Sequence, residues 1–253
     1  MADTIINSIR SGSIFHGNIS FEVLRRVAGI NHGQSCYDSL DRGRAVLSLE
    51  DELDQYLYSY GPMTKSQWAQ LLPNVSIFAD KLRVVDYGCG QGLASAFLFD
   101  DPGFGLAARA AVTEAILIEP SIVALARAEA VFACYCPNAT VTGINKYLDY
   151  VTLQELGGAS DAHTLHFFSN VLDISDFNHV VLFDKILQLK GSHSVLVVSH
   201  DRNHTGGSSR ILDLNSLVFS PQNHGINISK SDLTRFKSTS GYDAISWQLQ
   251  FEA

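Results

Sequence analysis

Three stretches of the 253-residue chain combine residue types and spacings that do chemistry. The first is Asp86-Tyr87-Gly88-Cys89-Gly90-Gln91-Gly92. Glycines at alternate positions let a backbone turn sharply and approach a ligand with no Cβ in the way. A dinucleotide loop spaced G-x-G-x-x-G would place its third glycine at position 93. Here position 93 is Leu and the glycine is Gly92. The acid two residues before the first glycine suits a ligand with an ammonium group better than a pyrophosphate. The second stretch is Glu119-Pro120-Ser121, an acid followed by residues that open a helix. The third is His166-Phe167-Phe168-Ser169-Asn170-Val171-Leu172-Asp173. In it Ser169 and Asn170 offer neutral hydrogen-bonding groups, and Asp173 reads as the N-cap of a following helix.

Each stretch sits at the end of an expected strand. Short apolar runs predict strands at Leu82 to Tyr87, Ala115 to Glu119, Thr140 to Ile144, Thr164 to Ser169 and Ser194 to Ser199. Between them, helices are expected over Leu93 to Phe99, Ser121 to Tyr135 and Phe177 to Leu189. Asp101 to Gly105 interrupts the first helix, and Leu106 to Val112 resumes it. Repeated β-α units predict a doubly wound sheet with its ligand at the carboxyl ends of the strands. Toward the C-terminus, His204 to Ser209 reads as a flexible loop. Ala244 to Phe251 alternates with period two, as a terminal antiparallel strand does. The first 75 or so residues read differently, as helices with polar loops. Ser20 caps a helix running to Val27, Ser48 to Leu57 forms another, and a third begins at Thr64, with Gly61-Pro62 breaking the chain between the last two. Gln34 to Tyr37 reads as a polar loop. Tyr56 and Tyr60 share one helical face.

The acid followed by G-x-G-x-G, the Glu119-Pro120 landmark and the β-α order together resemble the class I S-adenosylmethionine-dependent methyltransferases. The resemblance covers about residues 80 to 253. It implies an α/β fold: a doubly wound, mostly parallel seven-stranded sheet, preceded by a helical lid such as some bacterial members carry. The implied division is a lid over residues 1–78 and a cofactor-binding domain over 79–253. Asp86 and the Gly88, Gly90 and Gly92 backbone would hold the methionine end of the cofactor. Glu119 would bind the ribose hydroxyls, and Asn145, Lys146 and Tyr147 would lie about the adenine. Ser169 and Asn170 would sit beside the sulfonium, with Tyr60, joined by Tyr56, closing over it, since an aromatic face stabilises a cation. The span from Gly92 to Glu119 is longer than the family usually shows and reads as a loop insertion.

Composition narrows the partners. Hydrophobic residues make up 46% and charged residues 17%, enough for a full core. The formal charge of -8 argues against a broad nucleic-acid footprint and favours a small-molecule acceptor. The third stretch also lacks the proline pair of nucleic-acid amino-methylating enzymes. Cys36, Cys89, Cys134 and Cys136 form no C-x-x-C pair, so no metal is expected, and scattered thiols suit a reducing cytoplasm. His200, Asp201 and His204 read as a substrate-facing polar loop rather than metal ligands. His163 and His166 read as structural. No run approaches the ~18 apolar residues of a membrane span. A homodimer is compatible with such a chain. The leading expectation is methyl transfer from S-adenosylmethionine to a small molecule. Two others stay open: a non-methylating enzyme that cyclises or transfers the aminocarboxypropyl arm, as in azetidine-2-carboxylate formation, and a non-catalytic sensor.

Overall fold

The computed structural model describes residues 3–75, 79–157, 161–174, 176–201, 208–220, 225–239 and 241–253. Its centre is one seven-stranded sheet in the order β3-β2-β1-β4-β5-β7-β6. The strands are β1 (Leu82–Tyr87), β2 (Val112–Ile118), β3 (Thr140–Ile144), β4 (His163–Ser169), β5 (Ser192–His200), β6 (Asn227–Lys237) and β7 (Asp243–Glu252). The first five pair in parallel, and β7 lies antiparallel between β5 and β6. The order of strand addition reverses after β3, so β1 and β4 are neighbours at the switch point where such sheets bind ligands. Strand β1 is buried at all six positions, as a strand covered on both faces must be.

Helices α1 (Thr4–Arg10), α2 (Phe21–Ala28), α3 (Gln34–Ser39), α4 (Glu50–Ser59) and α5 (Gly61–Leu71) precede the sheet. Helices α6 (Leu93–Asp100), α7 (Gly105–Ala111), α8 (Ile122–Tyr135), α9 (His179–Leu187) and α10 (Ser208–Val218) connect its strands. The expected interruption is present between α6 and α7. There the Asp101 carboxylate accepts from the N–H groups of Gly103 and Phe104, a local bond that competes with the helix. Two buried clusters flank the sheet. One joins Ile5, Phe21, Leu24, Leu57 and Trp68 of the N-terminal helices to Val84, Leu165 and Leu196 of the sheet. The N-terminal segment is thus packed into the same core as the strands it precedes.

Several expectations need correcting. Gln34 to Tyr37 is helical, the start of α3, rather than a loop. Gly61-Pro62 does mark the junction of two helices, but α5 begins at Gly61 rather than at Thr64, because proline in the first helical turn gives up only an N–H that has no partner there. Asp173 is not the N-cap of the helix that follows. That role falls to Asn178, whose side chain accepts from Val181 N at 3.1 Å. Of the expected loop at His204 to Ser209, residues 204–207 lie outside the described residues, and Ser208 and Ser209 begin α10. Helices α1 and α10 and strand β6 were not anticipated. Strand β6 is half exposed and polar, so its alternation is shallow.

Candidate functional site

A cavity opens at the carboxyl ends of β1, β2 and β4, beside the N-terminal helices and their loops. Gly88, Gly90, Glu119, Ser169 and Asn170 line it, with Leu47, Leu53, Tyr56 and Thr64 from the N-terminal helices and their loops.

The first wall is the glycine loop. Gly88, Gly90 and Gly92 all take positive φ, at 64°, 53° and 84°. The requirement differs between them. A Cβ on Gly88 would stand 2.7 Å from Val171 Cγ2, so this glycine is needed for packing. A Cβ on Gly90 would meet no protein atom within 4 Å, so the backbone there faces open cavity. Glu119 reaches across from the end of β2. One of its carboxylate oxygens accepts from Gly90 N at 3.0 Å and the other from Ser121 N at 2.9 Å. Burial raises its pKa despite those two bonds. Asp86 lies beneath the loop, wholly buried. Ser95 Oγ donates to one of its oxygens at 3.4 Å, and the other oxygen is buried with no partner. Burial is the main reason its pKa is pushed up to about 7.

The second wall joins β4 to α5. Trp68, fully buried, packs its ring edge-on against Phe167 and donates from Nε1 to Ser169 Oγ at 3.0 Å. Asn170 follows with φ of 54°, a left-handed conformation that Asn tolerates better than most residues. Its side-chain amide donates to Gln67 Oε1 at 2.7 Å. Residues Gln67 and Trp68 therefore hold the two polar side chains at the end of β4.

A charged tie joins the glycine wall to the N-terminal helices α1 and α4. Arg127 of α8 is fully buried. It donates to Asp3 at 2.7 Å, Asp54 at 2.9 Å and Gln91 Oε1 at 3.0 Å. Gln91, within the glycine loop, donates in turn to Leu53 O at 2.9 Å. Burial raises the Asp54 pKa, with the guanidinium pulling the other way. Arg127 had one signal in the sequence, a charge set among the apolar residues of α8. Gln67 and Trp68 had none, since their partners are more than a hundred residues away.

The remaining anticipated residues take other places. Tyr56 faces the cavity, and Tyr60 lies behind it, between Tyr56 (centroids 5.1 Å apart) and Tyr37 (5.9 Å). Asn145 donates to the carbonyls of Glu119 and Pro120 at 2.9 and 2.8 Å, bracing the end of β2 from outside the cavity. Lys146 pairs with Glu155, while Tyr147 lines the cavity. Gly92 backs onto Ala128 of α8, where an added Cβ would stand 3.3 Å from its Cα. His166 is buried between Tyr87 and His193 at 3.0 and 3.1 Å, and His163 pairs with Ser194, both structural arrangements. Asp201 accepts from Arg235 at 2.9 Å, and His204 lies outside the described residues. Among the described residues no group of three or more His, Cys, Asp or Glu is arranged to hold a metal. No described helix is long and apolar enough to cross a membrane.

No protein-family model matches the chain, and no curated protein matches it either. Solved structures do. A SAM-dependent methyltransferase from Leishmania major aligns with TM-score 0.50 at 13% identity, covering 91% of each chain. M. jannaschii TYW2 in complex with AdoMet aligns with TM-score 0.47 at 16% identity, covering 79% of this chain and 80% of that one. An rRNA methylase from Streptococcus thermophilus gives 0.43 at 12% identity, with 76% and 96% covered. Likeness at such identities speaks to architecture. Together with the strand order and the glycine turn after β1, the Leishmania alignment shows that this chain has the class I S-adenosylmethionine-dependent methyltransferase fold.

Proposed function

We propose that the protein is an S-adenosylmethionine-dependent transferase that methylates a small-molecule acceptor. The observation that carries this is the open cradle at Gly90, flanked by the Glu119 carboxylate and underlain by a buried Asp86 oxygen with no partner. These residues fit the cofactor. Gly90 leaves room for close approach, Glu119 would accept from the ribose hydroxyls, and Asp86 would hold the ammonium end. When bound, the cofactor supplies an electrophilic carbon on a sulfonium. The chain's task is then to place an acceptor in line and keep water out, which needs positioning more than acid–base chemistry. Tyr56, rather than Tyr60, lines the cavity, so it is the ring available to the sulfonium. The N-terminal segment, residues 1–78, acts as the cover of this site.

A small acceptor is favoured over nucleic acid by the formal charge of -8 and by the apolar lining that Leu47, Leu53 and Tyr56 give the cavity. The test is incubation with S-adenosylmethionine alone, with small acceptors and with RNA, followed by mass spectrometry. S-adenosylhomocysteine formed only with a small acceptor is the expected result. Methylthioadenosine from the cofactor alone would replace this reading with cyclisation or arm transfer. Tight binding without turnover would replace it with a sensor.

A further inference from the structure

The end of the cavity at Ser169 and Asn170 has a donor–acceptor balance that bears on the acceptor's chemistry. An indole N–H only donates, so Ser169 Oγ is the acceptor of the Trp68 bond and keeps its own proton to donate. Asn170 gives its amide N–H to Gln67. The pair then leaves one spare acceptor, the Asn170 carbonyl oxygen, and one spare donor, the Gln67 amide nitrogen, both buried with no partner; of the two residues Asn170 is the one that lines the cavity. An unpaired buried acceptor is costly, about 1–3 kcal/mol, so a ligand N–H or O–H arriving there satisfies a standing deficit.

The surrounding charge points the same way. Glu119 and Asp176 line the cavity. Burial, then the carboxylates of Asp173 and Glu119, hold the Tyr56 phenol firmly protonated. Among the described residues lining the cavity, Arg44 is the one cation, and it is paired with Asp41 at 3.0 Å. Such a surface attracts a cationic or electron-rich N–H compound and repels a carboxylate or phosphate.

We propose that the acceptor is an amine, selected over neutral alcohols by the carboxylates that line the cavity and positioned by the Asn170 carbonyl, which accepts a hydrogen bond from the nucleophilic nitrogen. The inference rests on the methyl-transfer reading above. An ammonium substrate first loses a proton to water at the exposed Asp176 side of the cavity. The nitrogen lone pair then forms the new N–C bond while the methyl C–S bond breaks. That electron pair goes to sulfur, which passes from sulfonium to neutral thioether. The surplus N–H proton leaves to water.

The probes are benzylamine with benzyl alcohol, histamine, and tyramine, which carries an amine and a phenol in one molecule. Each is incubated with the full chain and methyl-deuterated S-adenosylmethionine, and the labelled atom is located by mass spectrometry. Label on nitrogen of at least one amine, with none on benzyl alcohol or on the tyramine oxygen, is expected. Asn170→Gly removes the carbonyl without strain at φ of 54° and should lower kcat/KM for amines about 100-fold while leaving cofactor affinity within about twofold. Asn170→Asp restores an acceptor, the Gln67 amide turning to donate to it, and should recover most of that loss. Label on oxygen overturns the proposal, and is the result expected if both amides were turned over so that Asn170 donated. No labelled amine despite measured cofactor binding also overturns it, as does an Asn170→Gly variant with unchanged kcat/KM. Failure to bind cofactor, or methylthioadenosine without acceptor, is distinguishable from these and removes the methyl-transfer reading itself.

Discussion

The cavity's two walls are built by different means. The glycine wall is a contiguous turn, Asp86 to Gly92, whose backbone is shaped by positive φ angles and joined by one bond to Glu119. The opposite wall is made of side chains that meet across separations of 101 and 103 residues, Trp68 with Ser169 and Gln67 with Asn170. The first wall depends on local backbone geometry, and so any chain with the right turn can make it. The second exists only once the N-terminal helices have packed onto the sheet. Under the proposed function, cofactor recognition and acceptor recognition have separate structural origins in one pocket.

Arg127 bears on the first wall and its surroundings, because it joins Gln91 of the glycine loop to Asp54 of α4. Arg127→Met keeps a long apolar stem but leaves Asp3 and Asp54 without their cation. Removing one partner of a buried ion pair costs about 3–5 kcal/mol. Chemical denaturation should show a loss of that size. Replacing Asp54 by Asn in the same chain should return part of it, since the stranded charge is gone. If the single variant unfolds with unchanged midpoint, the glycine loop and α4 are not tied through this group.

Next in size is Gly90→Ala, which tests whether the glycine wall is shaped for a ligand or for the fold. No protein atom would meet the added Cβ, so the cost to folding is confined to a left-handed alanine, about 1–2 kcal/mol. Cofactor affinity, measured by calorimetry, should fall further than stability does. Equal losses would mean that Gly90 serves the turn alone.

Much of the first wall was legible in the sequence, and the reasons are physical. Strands β1, β3 and β4 are apolar or β-branched runs bounded by turn residues, so their ends were placed to within a residue. The glycine triplet and Glu119 announce themselves because backbone turns require particular residues at particular offsets. The second wall was half visible. Ser169 and Asn170 stood out at a strand end, but nothing near them in the chain named Gln67 or Trp68. Tyr56 and Tyr60 were correctly paired by helical spacing, yet spacing alone does not tell which ring faces the cavity; the packing of Tyr60 against Tyr37 decides it. Strand β6 was invisible because an exposed edge strand need not alternate strongly.

A third expectation concerns proton linkage at Asp86, which belongs to the glycine wall. Burial lifts its pKa from 3.8 to about 7. A raised folded-state pKa stabilises the fold below the unfolded value, and that contribution is lost as pH rises through about 7. The ligand-free protein should therefore lose thermal stability between about pH 4 and pH 7 from this group, and Asp86→Asn should flatten the slope. Cofactor binding runs in the opposite sense. Holding an ammonium favours the ionised carboxylate, so binding releases a proton, and affinity should rise by up to about tenfold per pH unit below pH 7. Calorimetry in buffers of different ionisation enthalpy reads the proton directly, and a pH-independent affinity would remove Asp86 from the ammonium site.

The smallest expected effect bears on the second wall alone. Trp68→Phe keeps an aromatic ring against Phe167 and deletes the N–H that Ser169 accepts. One neutral hydrogen bond is worth about 1 kcal/mol, and the smaller ring adds some packing loss. The informative quantity is how the loss divides between binding and turnover. If the walls are separable, cofactor affinity should stay near that of the parent chain. Turnover should fall several-fold, because Ser169 is freed to rotate and no longer presents its hydroxyl in one direction. A fall in cofactor affinity as large as the fall in turnover would show that β4 and the glycine loop act as one unit, and that the long-range contacts of α5 shape the whole pocket rather than its acceptor end.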